Sequence, residues 1–312
     1  MFQKDHDSLL RWYSLYGRKD LPWRNLVGEN AAYGVYVSEI MLQQTRVNVV
    51  LDYFYRFMQK FPTFKDLSLA KEDEVLVLWR GLGYYSRAKN LLKSAQNTQG
   101  NLPKTFAELK ALSGIGDYTA GAILCFGYHQ AVGFYDTNIK RFLVRYFGLQ
   151  SFNHKILKEY TEKFLNFQNP FDHNQALLDL GALVCTAKSP KCYICPLNNT
   201  CKGKKDPLSF VLHKKIEYEN LILRFGIYQE RGGIAMFRDK KWNNLYSFPE
   251  ILASAGEYLG SVRHTRTKYK IQAEVYKITT MPKDTELIRD FEDLPMSSLG
   301  LKILKLINRI KK

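Results

Sequence analysis

The sequence predicts a mainly α protein that closes with a smaller α+β domain, and three features lead there. Up to about residue 200, apolar residues recur at spacings of three and four with few Gly or Pro between them. Past Cys201 the chain turns polar: Lys202, Lys204, Lys205, Lys214 and Lys215 face only Asp206 and Glu217, the composition of a tether. From about Tyr218 the alternation is strand-like, over Leu221 to Tyr228, Gly233 to Arg238 and Ile271 to Thr279, before a basic amphipathic helix from Ser298 to Ile310. The predicted boundaries are a helical region over 1–201, a basic linker over 202–217 and a last domain over 218–312.

The helical region opens on Met1 to Asp7, a polar, charged start with no apolar run behind it, so no signal peptide is expected. The next informative residue is Glu39, the only charged side chain between Asn30 and Thr45. A carboxyl in apolar surroundings has a raised pKa and suits proton donation near neutral pH; a satisfied carboxylate on an exposed helix face is the plainer alternative. On a helix, Gln43 lies one turn from Glu39 on the same face. Further on, Leu112-Ser113-Gly114-Ile115-Gly116-Asp117-Tyr118 sets two glycines around one apolar residue, with Asp117 read as the N-cap of the helix that follows. Such a turn joins two helices closely and leaves backbone N–H groups able to approach a phosphate at a helix N-terminus. Asp136, in Asp136-Thr137-Asn138, follows an apolar segment and reads as a helix cap, the commoner use, or, paired with Glu39, as the second carboxylate of a glycoside-cleaving pair.

Cys185, Cys192, Cys195 and Cys201 fall within seventeen residues, separated by six, two and five. Four thiolates this close can wrap a [4Fe–4S] cluster or a tetrahedral zinc, and the spacing alone does not choose. Two structural disulfides fit an oxidising compartment, which the polar N-terminus argues against. Cys125, alone in an apolar stretch, reads as a small core residue. Composition bounds the partner. Forty-six Lys and Arg against thirty Asp and Glu leave a net charge of +16, and 14% of residues are aromatic, which together favour nucleic acid over plain solubility charge. No apolar run is long enough to span a bilayer, so an integral membrane role is not expected.

Taken together these residues resemble one family, the adenine DNA glycosylases usually called MutY, within the helix-hairpin-helix superfamily whose endonuclease III branch has the same cysteine spacing. The likeness runs over about residues 8 to 202: Leu21-Pro22-Trp23, Ser38 to Thr45 with Glu39, Gln43 and Gln44, Gly81-Leu82-Gly83-Tyr84-Tyr85, the Gly114/Gly116 hairpin, Asp136-Thr137-Asn138 and the four cysteines. It implies a six-helix barrel with an iron–sulfur domain, the metal being a [4Fe–4S] cluster on Cys185, Cys192, Cys195 and Cys201. It also implies double-stranded DNA as partner, with adenine opposite 8-oxoguanine or guanine flipped out and hydrolysed from its sugar. Carried over position by position, Glu39 is the acid for adenine N7, Asp136 stabilises the sugar cation and Asn138 holds the local geometry. Gln43 and Tyr84 enter the stack or wedge beside the opposite base, Thr45 sits near 8-oxoguanine, Gln44 also binds DNA, Gly114 and Gly116 meet the phosphate backbone, and Lys188 and Lys191 further phosphates. The family's lyase branch carries a lysine where this chain has Tyr118, so the resemblance implies a monofunctional enzyme; Lys140 is left as a slow amine near Asp136.

The last ninety-five residues resemble the family's Nudix-like, 8-oxoguanine-reading domain less well. Trp242 to Pro249 and Val262 to Thr265 match, but the usual Phe-Ser-His is Arg266-Thr267-Lys268, which leaves Thr267 as the hydroxyl at the reading position. The acidic Nudix box is missing, so pyrophosphohydrolase activity is not expected. A monomer working in the cytoplasm, on the nucleoid, completes the expectation.

Overall fold

A computed structural model describes residues 2–210, 217–251 and 256–310. By its internal contacts the chain divides into two compact units, Met1–Leu69 with Lys93–His213, and Ala70–Leu92 with Lys214–Lys312. Part of the predicted linker, including Lys214 and Lys215, lies outside the described residues; Lys202–Lys204 forms a single 3-10 turn within the first unit.

The first unit is helical. At its centre lies Ala31–Leu42, in which every residue but the last is buried. A helix that is apolar all round has no solvent face, which is why Glu39, alone among apolar neighbours, is buried (7% exposed). Gly127 lets the π-helical turn Ile123–Gly127 lie directly on this helix, since a Cβ there would stand 2.5 Å from Ala32 Cα. A second core joins the first helix, Gln3–Tyr16, to Thr137–Phe147 and Pro170–Asp179 through Leu9, Trp12, Phe142, Phe164, Leu177 and Leu180. Local sequence sets the helix ends. Thr105, Asp136, Asn153 and Asn169 each accept backbone N–H bonds at an N-terminus, and Gly148 closes Thr137–Phe147 with a left-handed φ of 66°. Cys125 is fully buried, as a core residue should be.

The second unit carries the strands β1 (Glu219–Ile227), β2 (Gln229–Glu230), β3 (Gly233–Asp239), β4 (Leu245–Ser247), β5 (Glu257–Arg266), β6 (Tyr269–Lys277) and β7 (Glu286–Ile288). One sheet has the order β1-β6-β5, with β1 parallel and β5 antiparallel to β6. In the other, β2-β3-β4, strand β7 also pairs with β3. The helix Ser298–Ile310 seals the core, adding Leu299, Ile303, Leu304 and Ile307 to Phe225, Phe248, Val275 and Met296. The strands expected at 221–228, 233–238 and 271–279 and the last helix are all present, shifted by no more than two residues. Strand β5 escapes a sequence reading because its face alternates weakly: only Leu259, Gly260, Val262 and His264 are partly covered.

Candidate active site

Three side chains from three segments of the helical unit come together, Glu39 buried and Tyr118 and Asp136 half-buried. Glu39 comes from the central helix, Tyr118 from Asp117–Ala122, and Asp136 from the N-cap of Thr137–Phe147. The Tyr118 hydroxyl donates to the Glu39 carboxylate. Burial raises Glu39 to about 7; the nearby Asp136 charge adds to this, and the Tyr118 hydrogen bond and Arg24 oppose it. Burial also raises Asp136, though less freely, because its carboxylate is richly bonded. Oδ1 accepts from Asn138 N at 2.8 Å and Ile139 N at 2.7 Å, and Oδ2 accepts from Asn138 Nδ2 at 2.8 Å. Asp136 is therefore both the helix cap and part of the constellation; the two sequence readings are not exclusive. One carboxyl is poised to hold a proton near neutrality and the other is held as an acceptor, the asymmetry that acid chemistry on a glycosidic bond requires.

Asn138 is itself fixed. Arg141 donates to Asn138 Oδ1 (2.9 Å), to the Gly181 carbonyl (2.6 Å) and to the Cys185 carbonyl (2.7 Å). Gly181 is a glycine of necessity, since a Cβ there would lie 2.6 Å from Asn138 Cβ. It sits in the π-helical turn Leu180–Val184 that delivers Cys185.

The two-glycine turn lies between Phe106–Ala111 and Asp117–Ala122, as expected of a helical hairpin. Gly114 takes φ +81°, a conformation that favours glycine. Gly116 is exposed, and a Cβ there would meet no protein atom within 4 Å, so the fold itself does not demand a bare position. The N-cap is Gly116, one residue earlier than read from the sequence. Asp117 is instead the first helical residue, and its carboxylate pairs with Lys110 and with His154 (2.9 Å). The carboxylate is thus directed at Lys110 and His154 rather than folded back on the turn. A cleft of about 770 Å³ flanks this turn, lined by Tyr118, Phe134, Tyr135, His154, Lys158 and Lys104 among others.

Cys185, Cys192, Cys195 and Cys201 line one small cavity of about 20 Å³ with Phe142, Val184 and Leu197. None is in a disulfide. Among the described residues no three His, Cys, Asp or Glu side chains converge on a single ion position. Arg145, only 1% exposed, braces the loop by donating to the carbonyls of Thr186 (2.7 Å), Ala187 (3.2 Å) and Pro207 (2.7 Å) and to Cys185 Sγ (3.4 Å).

Residues 37–167 match the family described as HhH-GPD superfamily base excision DNA repair protein. An "Adenine DNA glycosylase" of Buchnera aphidicola subsp. Baizongia pistaciae is 38% identical over 280 residues, 85% of this chain and 78% of that one. The chain belongs to the adenine DNA glycosylase family. The mouse protein of that name is 42% identical over 211 residues, 63% of this chain and 41% of its own. Among solved structures, a thermostable thymine-DNA glycosylase superposes with a TM-score of 0.59 at 26% identity, covering 65% of this chain and 96% of that one. An endonuclease III–DNA complex does so at 0.54 and 20% identity, over 65% and 94%, which speaks for the fold alone.

The other predicted residues of this glycosylase are scattered. Gln43 is the C-cap of the Glu39 helix, at φ −56° and ψ 111°; Gln44 follows, exposed, at φ +58°, and Thr45 donates to Gln43 O at 3.4 Å. Lys188 and Lys191 are exposed on the cysteine loop. Lys140 lies over the Phe152 ring, 5.0 Å from its centroid. In the second unit, Tyr84 is exposed at φ +50°, and Thr267 sits at φ +50° in the β5–β6 turn with its hydroxyl donating to Arg266 O at 2.7 Å. The Arg266 guanidinium stacks 4.4 Å from the Trp242 ring centroid. Sequence reasoning missed Arg24 and Asp179. Asp179, fully buried, accepts from Arg24 at 2.8 Å through each oxygen and from Arg18 at 2.6 Å. It is a single carboxylate inside the apolar run Ala176 to Val184, and the signal that singles out Glu39 could have found it.

Proposed function

We propose that this adenine DNA glycosylase excises adenine mispaired with 8-oxoguanine, and with guanine, by hydrolysis without strand cleavage. The observation that carries the reading is the constellation of buried Glu39 with half-buried Tyr118 and Asp136, a phenol standing where a lyase needs an amine. Protonated Glu39 gives its proton to adenine N7. The C1′–N9 bond then breaks with its electron pair passing to the base, which leaves neutral. Asp136, aligned by Asn138, stabilises the sugar cation until water adds to C1′, the water's proton passing to the Glu39 carboxylate left by the first step. Tyr118 has no amine to form a Schiff base, and its own proton is held tightly by burial and by the two neighbouring carboxylates.

DNA is held by Gly114 and Gly116 at a phosphate, Lys188 and Lys191 at further phosphates, and Gln43, Gln44, Thr45 and Tyr84 at the base stack. The open space over Gly116 supports the first of these, since backbone N–H groups can be approached there without a side chain in the way. At the opposite base, the Thr267 hydroxyl already donates to Arg266 O, so its lone pairs remain to accept the N7–H that 8-oxoguanine has and guanine lacks. The four cysteines would hold a [4Fe–4S] cluster: they line one shared cavity, and such a cluster takes one thiolate on each of its four irons. The cluster would fasten the Lys188/Lys191 loop. The enzyme acts as a monomer on chromosomal DNA in the cytoplasm, which suits a net charge of +16.

Duplexes end-labelled on the adenine strand, opposite 8-oxoguanine or guanine, test the reading on denaturing gels with and without alkali. Strand scission at adenine that appears only after alkali is the expected result. Scission without alkali, or at thymine glycol with adenine untouched, would overturn it.

A further inference from the structure

The segment Ala70–Leu92 is helical in character but belongs with the strands of the second unit. Three polar anchors hold it there. Asp73 takes the Arg238 guanidinium on both oxygens, at 3.0 and 2.5 Å. Arg80 donates to the Phe291 carbonyl at 2.8 Å and to that of Leu294 at 3.4 Å. The buried Tyr85 hydroxyl donates to the Met296 carbonyl at 2.5 Å and accepts from Gly81 N at 3.1 Å.

Between the last two anchors runs Gly81-Leu82-Gly83-Tyr84, with left-handed φ values of 99° at Gly81, 79° at Gly83 and 50° at Tyr84. The turn is buttressed from beneath: Arg87 donates to Gly83 O at 3.0 Å and Trp79 Nε1 to the same oxygen at 3.1 Å, while Leu82 is buried. Tyr84 points outward, 44% exposed. A non-glycine residue at positive φ persists only where its surroundings over-determine it, and an exposed ring held in that way is a stacking platform for a base.

We propose that Tyr85 and Arg80 are positioning residues that let the segment Phe291–Met296 of the C-terminal part set the attitude of Tyr84 on DNA. The last domain then contributes to mismatch recognition by fixing an aromatic that lies far earlier in the sequence, besides any contact of its own. The proposal rests on the reading of Tyr84 as a base contact. Its sharpest consequence is that Tyr85 acts through Tyr84. Removing the Tyr85 hydroxyl strips Gly81 N–H and Met296 O of a shared partner and loosens the turn, without touching Glu39, Tyr118 or Asp136.

The test is a double-mutant cycle of Tyr84→Ala, Tyr85→Phe and the pair, read by equilibrium binding to an adenine:8-oxoguanine duplex. A 2-aminopurine beside the 8-oxoguanine reports local unstacking by its fluorescence. Tyr85→Phe should weaken binding about tenfold and lower the fluorescence rise, and in the Tyr84→Ala background it should add almost nothing. Arg80→Gln, an independent cut of the same clamp, should behave likewise, with thermal melting of each variant confirming a folded chain. Wild-type binding and fluorescence in both Tyr85→Phe and Arg80→Gln, with Tyr84→Ala impaired, would overturn the clamp while leaving Tyr84 as a contact. Full additivity in the double mutant would overturn it too. An unimpaired Tyr84→Ala would instead remove the reading on which the clamp stands.

Discussion

Replacing Glu39 with Gln should stabilise the protein in mild alkali and leave it unchanged in acid, while abolishing excision. Glu39 is buried and its carboxyl is raised from 4.5 to about 7, burial being the main cause. In the unfolded chain it titrates near its ordinary value, so between the two pH values the folded state binds the extra proton. Stability of the wild type therefore falls as pH rises through this window, by about 1.4 kcal/mol per pH unit. The contribution is fully present below about 4.5 and fully lost above about 7. Summed across the window the cost of ionising Glu39 approaches about 3 kcal/mol. Gln has the same shape, never ionises, and can still accept from the Tyr118 hydroxyl, so the cost disappears. Calorimetric melting of both proteins from about pH 4 to 9 would show the curves together at the acid end. At about pH 8 and above the Glu39→Gln variant should melt higher, by about 6–12 °C for a domain of this size. Parallel pH dependences with no opening gap would refute the reasoning, and with it the idea that Glu39 is held protonated for the reaction. Activity should follow the same group: excision by the wild type should decline as pH rises through about 7, where the acid form is depleted.

Three further expectations concern other residues. Arg24→Met should destabilise the helical unit by about 3 kcal/mol in urea melts, because a buried carboxylate loses one of its two cations; a cost below about 1 kcal/mol would show that Arg18 alone satisfies Asp179. Lys188→Ala should weaken binding to matched and mismatched duplexes alike and reduce the slope of log Kd against log salt by about one, and an unchanged slope would remove Lys188 from the phosphate contacts. Cys195→Ser should lower both bound iron and the visible absorption of an iron–sulfur centre and reduce DNA affinity; an iron-free wild type with full affinity would refute the cluster assignment.

Much of the site was legible because burial leaves a mark on sequence. A charged residue persists inside an apolar stretch only where the fold gives it partners or a task, and that rule found Glu39 and, applied further along, would have found Asp179. Glycine spacing announced the hairpin: Gly114 takes a left-handed φ of 81°, and Gly116 lies exposed as the N-cap of the next helix. Local geometry was harder: the cap moved from Asp117 to Gly116, since Lys110 and His154, distant in sequence or on another helix, compete for the carboxylate. Arg141 and Arg145 gave no signal at all. An arginine on an amphipathic helix reads as solvated until one sees that the carbonyls of Gly181, Cys185, Thr186 and Pro207 surround it.

By itself the sequence determined the helical character of the first two hundred residues, the strands and closing helix of the rest, the ordered set of motifs that identifies the family, and the chemistry its side chains can perform. These follow from periodicity and residue type, which are local. Only the tertiary structure decided that Glu39, Tyr118 and Asp136 come together, that Asn138 is held through Arg141, and that Ala70–Leu92 belongs to the same compact unit as the strands. Those outcomes depend on which carboxylates, guanidiniums and carbonyls come within about 3 Å of one another, and chain proximity in space is not written in spacing along the sequence.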